Sequence, residues 1–253
     1  MLGAWKTVSA AVAGPNKGAL GCQDAVAVRH IRAGGHTALV MALADGAGSA
    51  SHGGDAARLI VRTLLAAASS RLRRRFGQGK PENAWGVGDM AAAFVRARTA
   101  VIHAAEAQHH DLRDWGSTGL LAVLTDDTTV LAQMGDGAMC LRQGGEWSCP
   151  ILPDLDGYVN VTTFVTHGHA PLRTHVAPPA DAVLLFSDGL QSLALDYQSG
   201  RPHAPFCHGV IAELGKSTDS RKLRGDLATW LSSDSIRTRS DDDVSLAMAL
   251  RVT

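Results

Sequence analysis

Aspartate recurs in this chain in one setting. An apolar run of strand length ends directly in Asp-Gly three times: LVMALADGAG holds Asp45-Gly46, VLAQMGDGA holds Asp136-Gly137 and VLLFSDGL holds Asp188-Gly189. Two further acidic sites stand at strand boundaries, Gln23-Asp24 before AVAVRHI and Asp241-Asp242-Asp243 before VSLAMAL. A strand is a rigid support, so a carboxylate at its tip is held in place at the sheet edge. Several such tips brought together concentrate negative charge, and uncompensated charge of that kind is costly. Divalent cations would offset it. The candidate ligands are all oxygen donors, which suits Mg²⁺ or Mn²⁺ rather than zinc. Glycine after each aspartate lets backbone or ligand approach where a Cβ would intrude.

Each motif also has a plainer reading. Asp-Gly is a common two-residue hairpin turn. Asp136-Gly137, flanked by two good strands, stays open between a turn and a site. The turn reading is weaker for Asp45 and Asp188, where no strand returns. For Asp241 to Asp243 the plain reading is a solvated acidic loop, with one functional carboxylate among exposed neighbours.

The elements that must position these residues follow from periodicity. WKTVSAAVAG, DAVAVRHI and HTALVMALA read as strands. Ala56, Leu59, Ile60, Leu64 and Ala67 then recur at helical spacing, and Met90, Phe94, Ala97, Val101 and Ala104 mark a second helix beyond the loop GQGKPENAWGVG. Arg62, Arg71, Arg73, Arg74 and Arg75 read as a solvated helix end. Strands resume with STGLLAVLT, TTVLAQMG, GAMCLRQ, YVNVTTFVT and DAVLLFSD; a helical stretch runs from Pro205 to Leu231, and DVSLAMALRV closes the chain as a strand. This order does not alternate as a doubly wound sheet would. It predicts an α+β fold: a central β-sandwich of two antiparallel sheets flanked by helices on both sides, formed as a single domain over 1–253.

Composition narrows the function. The 253 residues carry 24 Lys+Arg against 24 Asp+Glu, a balance that argues against nucleic-acid or membrane-surface partners, which usually select a basic excess. No apolar stretch is long enough to span a bilayer, and the N-terminus has no secretory pattern. Cys22, Cys140, Cys149 and Cys207 are scattered and read as buried thiols of a reducing compartment. The expectation is a cytoplasmic protein.

In order and spacing, these motifs resemble the metal-dependent protein phosphatases of the protein phosphatase 2C type. The match runs from Gly14 to Met248, through GCQDA, ADGAGSA, MGDGA, FSDGL and Asp242-Asp243-Val244-Ser245, with GSTGLLAVL preceding the third. The Q-D form of the first motif, with YVNVTTFVT, is most similar to the compact bacterial branch. The resemblance implies a Ser/Thr phosphoprotein phosphatase that holds two Mn²⁺ or Mg²⁺ ions between its sheets. Asp45 would bridge both ions and the Gly46 carbonyl would ligate one. Asp188 and Asp242 would complete the other site, Asp24 would act directly or through water, and Asp136 would serve a third ion. The implied partners are a phosphorylated protein and a cognate Ser/Thr kinase.

This sequence departs from the family pattern at several places. Gln23 stands where many relatives carry Glu, and Ala47 where eukaryotic relatives carry a histidine proposed as general acid; His52 is a candidate replacement. The phosphate-gripping arginine before the first motif is absent at its usual spacing, which leaves Lys17 as the nearest cation and the candidate phosphate ligand. Ser192 replaces a further acid found in some relatives. These losses support a rival reading, a catalytically weak or inactive phosphatase-like module that binds a phosphorylated partner. Other readings are poor. LADGAGSAS lacks the third glycine of a dinucleotide fingerprint. No H-E-x-x-H or G-x-S-x-G occurs. His109-His110 and His167-x-His169 read as surface loops, the second in the region of the bacterial flap, where a substrate contact is conceivable.

Overall fold

Strand parity decides how the layers stack. A computed structural model describes residues 4–15, 17–18, 21–82, 84–153, 162–168, 171–196 and 199–252. In β3 (His36–Ala44) Leu39, Met41 and Leu43 point into one apolar cluster, while Val40, Ala42 and Ala44 point into another. Both faces are buried, so the sheet carrying β3 must be covered on both sides.

That sheet is antiparallel and ordered β2 (Ala25–Ala33), β3, β4 (Gly119–Leu124), β5 (Thr129–Met134) and β8 (Arg173–Ala177). The other, also antiparallel, is ordered β1 (Ala4–Val12), β10 (Val244–Val252), β9 (Ala182–Phe186), β6 (Ala138–Gln143) and β7 (Glu146–Ser148). Leu39, Met41, Leu120, Met139 and Leu185 fill the space between them. Helices α1 (Gly53–Gly77) and α2 (Val87–Ala107) cover the first sheet through Ile60, Leu64, Leu72 and Phe94. Helices α4 (Ala204–Lys216) and α5 (Ser220–Leu231) cover the second through Ile211, Leu214 and Leu231. Short helices α3 (Gln191–Ala194) and α6 (Asp234–Arg237) complete the set. The expected sandwich flanked by helices is the observed one.

Several local expectations change. The stretch from Pro205 to Leu231 is two helices, because the Asp219 carboxylate accepts from the N–H groups of Arg221 and Lys222 and caps a new helix. Arg71 is not simply solvated: its Nε lies 3.0 Å from an Asp89 carboxylate oxygen, tying α1 to the start of α2. Residues 158–161 of the expected strand YVNVTTFVT lie outside the described residues, and 162–166 form coil and turn. The edge strand β8 takes the place beside β5 instead, its Arg-Thr-His start hiding it from any apolar pattern. All four cysteines are free; Cys140 and Cys207 are buried, while Cys22 and Cys149 are half-buried. Among the described residues, no helix is long and apolar enough to cross a membrane.

Candidate metal centre

Asp45 follows β3 directly and continues the parity of Leu39, Met41 and Leu43, so it stands at the mouth of the gap between the sheets. Its backbone is held twice by one neighbour: the Asp45 N–H donates to Thr118 Oγ1 at 2.9 Å, and the Thr118 N–H donates to the Asp45 carbonyl at 2.9 Å. Gly46 bridges to Ser117 and donates its N–H to the Gln23 carbonyl at 3.3 Å. A Cβ on Gly46 would stand 2.4 Å from the Gly53 carbonyl carbon. This glycine therefore lets the first turn of α1 close onto the loop, which fixes the turn that follows Asp45.

Asp136 does not sit in a hairpin. β5 belongs to one sheet and β6 to the other, so Gly135-Asp136-Gly137 carries the chain across the sandwich. Gly135 has φ +105°, a left-handed conformation that favours glycine. The buried Gln133 side chain donates to the carbonyls of Gly135 (3.1 Å) and Gly137 (2.6 Å), and Arg173 donates to the Gly135 carbonyl at 2.7 Å. Gln191 donates to the Asp136 carbonyl, and Thr162 Oγ1 donates to its carboxylate at 2.7 Å. The crossing is thus held from several sides with its carboxylate presented outward. The sequence left this residue open; the connection between sheets removes the turn reading.

Asp188 opens a short 3-10 turn, Asp188–Leu190, at the end of β9. A Cβ on the next residue, Gly189, would stand 2.3 Å from the Asp243 carbonyl oxygen, so the β9 and β10 termini meet here backbone to backbone. The three acids before β10 divide their work. Asp241 is exposed, Asp242 is half-buried at the cleft, and Asp243 is buried and accepts from the N–H groups of Gly14 and Gln23, each at 2.7 Å.

These elements converge. One carboxylate oxygen each from Asp45, Asp136 and Asp188 lies within 4.8 Å of the others, and among the described residues this is the one such group of potential metal ligands. They line a cleft of about 460 Å³ together with Asp242, Thr118, Thr162, Phe164 and His167. Asp24 lies beneath, buried at 6% exposure, facing Asp45 and the hydroxyls of Ser187 and Ser245.

The electrostatics follow from this crowding. Burial, then the neighbouring charges of Asp24 and Asp188, raise the Asp45 carboxyl well above its ordinary range. Burial pushes Asp24 up to about 7, against the pull of the two hydroxyls. Burial and the charges of Asp136 and Asp242 push Asp188 up to about 6. One carboxylate oxygen each of Asp136 and Asp188 is buried with no hydrogen-bond partner. Unpartnered buried oxygens that repel one another fit a divalent cation and suit hard, oxygen-seeking ions.

A model of the family described as Protein phosphatase 2C matches residues 16–232. The chain belongs to the Protein phosphatase 2C family. It is 32% identical over 256 residues to Serine/threonine-protein phosphatase 3 of Escherichia coli (strain K12), covering 97% of this chain and 98% of that protein. Among solved structures, the catalytic domain of the serine threonine protein phosphatase PstP, in complex with 2 manganese ions, superposes with a TM-score of 0.66 at 18% identity, over 100% of both chains. PppA, a regulatory component of T6SS in Pseudomonas aeruginosa, gives 0.64 at 18% identity over 99% of both. At such identity these two likenesses show the fold.

As a protein phosphatase 2C, the chain keeps the acidic floor and changes what surrounds it. Gln23 is buried, and its side-chain oxygen has no hydrogen-bond partner. Ala47 lines the cleft and offers no proton. His52, the expected replacement, is not among the lining residues. It stacks on His110 with ring centroids 4.0 Å apart and on Trp115 at 5.2 Å, and its Nδ1 lies 3.6 Å from Asp55. The imidazole in the cleft wall is His167, whose Nδ1 accepts from the Phe164 N–H at 3.3 Å; His169 lies outside the described residues. Ser192 faces a different hollow, with Leu195, Asp196 and His203. Lys17 reaches the site from the first loop, but its ammonium rests 2.8 Å from Asp242. Sequence reasoning missed Thr118 and Gln133, and it read Asp243 as an exposed neighbour in the acidic run, whereas all three are buried and hold the acidic loops. A buried polar residue inside or beside an apolar strand was the available signal.

Proposed function

We propose that this phosphatase hydrolyses phosphoserine and phosphothreonine monoesters of proteins, by direct attack of water and without a covalent phosphoenzyme. The observation that carries this reading is the convergence of Asp45, Asp136 and Asp188 within 4.8 Å on the floor of an open cleft, with Asp242 in its wall. Asp45 would bridge two Mn²⁺ or Mg²⁺ ions, the Gly46 carbonyl would join one, and Asp188 and Asp242 would hold the other. Asp136 suits a third ion, and Asp24, buried beneath Asp45, acts through water or as support. When bound, the ions would supply charge neutralisation for the phosphate and an activated water near neutral pH.

The chain's own residues do the positioning. The paired backbone bonds between Asp45 and Thr118 fix the central carboxylate, and the two glycines around Asp136 bring the crossing segment level with it. Preorganised charge of this kind costs no rearrangement when the phosphoryl group is transferred. Phe164 and His167 form the wall against which the phosphorylated side chain rests. The substrate is expected to be a cytoplasmic phosphoprotein, with a Ser/Thr kinase as the opposing enzyme.

The test is release of inorganic phosphate from a phosphothreonine peptide and from p-nitrophenyl phosphate, with Mn²⁺ and with excess chelator. Metal-dependent turnover of both is the expected result. Metal binding without turnover would favour the phosphatase-like binding module instead.

A further inference from the structure

Among the described residues that line the acidic cleft, none is Lys or Arg. A phosphate dianion arriving there meets carboxylates, with two cations, Lys17 and Arg237, beside Asp242. Lys17 Nζ lies 2.8 Å from an Asp242 oxygen and 3.7 Å from Asp243, and its side chain is 18% exposed. Arg237, the other cation beside Asp242, spends its guanidinium on the backbone carbonyls of Asp242 (2.9 Å) and Ala13 (2.6 Å).

The Lys17 loop is clamped. The N–H groups of Gly14 and Gln23, which bracket it, both donate to the one buried carboxylate of Asp243 at 2.7 Å. A Cβ on Gly14 would stand 2.4 Å from the Asp241 carbonyl oxygen, so the loop crosses directly over the acidic run. The ammonium also faces the cleft wall, 3.8 Å from where a Cβ on Gly48 would stand. Lys17 is thus held between the rim carboxylate and the substrate space.

We propose that Lys17 is a tethered counter-cation that competes with metal for Asp242 and turns to phosphate once the metal has taken that carboxylate. The inference rests on Asp242 being a metal ligand, as read above. An ammonium and a divalent ion cannot both draw fully on one carboxylate, and the divalent charge is the stronger claimant. Once Asp242 is engaged, Lys17 faces a cation at close range; the Asp243 carboxylate 3.7 Å away is already taken up by the Gly14 and Gln23 N–H groups, so the unclaimed counter-charge offered to Lys17 is the substrate's phosphate. Phosphate grip therefore depends on prior metal loading, and metal affinity is held below what the acids alone would give.

The test uses calorimetry on the full chain, with Mn²⁺ alone and then with inorganic phosphate added to the Mn²⁺-saturated protein. Lys17→Met should bind Mn²⁺ roughly fivefold more tightly than the wild type, the scale of one partly exposed ion pair. It should bind phosphate about tenfold more weakly, the scale of one charge-assisted hydrogen bond. Lys17→Arg keeps the charge and should stay within about twofold of the wild type for Mn²⁺. Unchanged or weaker Mn²⁺ binding by Lys17→Met overturns the competition, and undiminished phosphate binding overturns the conditional grip. A wild-type chain that binds no Mn²⁺ overturns the metal-centre reading itself, which separates the two failures.

Discussion

Asp45 and Thr118 exchange two hydrogen bonds, one through the Thr118 hydroxyl and one through its backbone N–H, both at 2.9 Å. The residue expected to sit between the ions is therefore held from the residue that leads into β4 as well as from its own strand. Asp45→Asn removes the central charge without disturbing these backbone bonds. It should abolish phosphate release and weaken Mn²⁺ binding, while the metal-free protein melts no lower than the wild type. Calorimetry with Mn²⁺ and a thermal melt check both halves; full activity would refute the bridging role.

Thr118→Val keeps the shape and loses the acceptor for the Asp45 N–H. An orphaned partly buried donor costs about 1–3 kcal/mol. Activity at saturating Mn²⁺ should fall further than that stability loss explains, because Asp45 is no longer fixed. Denaturant melts and turnover measured side by side separate the two effects.

The pH dependence has a definite sign. Asp24 is raised from 3.8 to about 7 and Asp188 to about 6, so between these limits the metal-free native state holds more protons than the unfolded chain. Stability without metal should therefore fall as pH rises through that window. Metal competes with the same protons, so Mn²⁺ affinity should rise over it, with protons released on binding. Titrations at about pH 5.5 and about pH 7.5, in buffers of different ionisation enthalpy, measure both quantities. Equal affinity at the two pH values would contradict the assignment.

Asp242 and Asp243 are neighbours with opposite expectations. Asp243→Ala strands the N–H groups of Gly14 and Gln23 and should cost roughly 2–5 kcal/mol of stability. Asp242→Ala gives up a rim ion pair and should change stability by less than about 1 kcal/mol. Its loss should appear in Mn²⁺ binding instead. Urea melts and metal titrations of the two variants distinguish the roles.

Gln23→Glu places another carboxylate next to Asp24 in the chain, in buried surroundings close to the loop after Asp45. Without metal the variant should melt lower than the wild type. With saturating Mn²⁺ the difference should close, and activity should be similar or higher. Total loss of activity would show that Gln23 plays a different part.

The sequence was legible where apolar pattern and sharp boundaries agreed. HTALVMALA is β3 residue for residue, because alternate side chains fill two separate cores and the Asp-Gly that follows ends the strand. The acidic residues were legible by type and place, since carboxylates at strand tips have few other reasons to recur. Residue type and spacing alone did not reveal which acid meets which; that expectation came from the family resemblance. Asp136 joins Asp45 and Asp188 because β5 and β6 lie in different sheets, a fact carried by topology and not by local pattern. Asp242 and Asp243 are chemically identical on paper, and only the passage of the first loop over them sets one at the cleft and the other under the backbone. His52 was misplaced for a similar reason: nearness in sequence to Ala47 put it on the wrong side of α1's first turn, against His110 and Trp115.

The crossing at Gly135-Asp136-Gly137 has a mechanical consequence. Asp45 hangs from one half of the sandwich and Asp188 from the other, with Asp136 on the bridge between them. An ion seated among them would act as a rivet through both plates, so that whatever slides one plate past the other also opens the jaws that grip it.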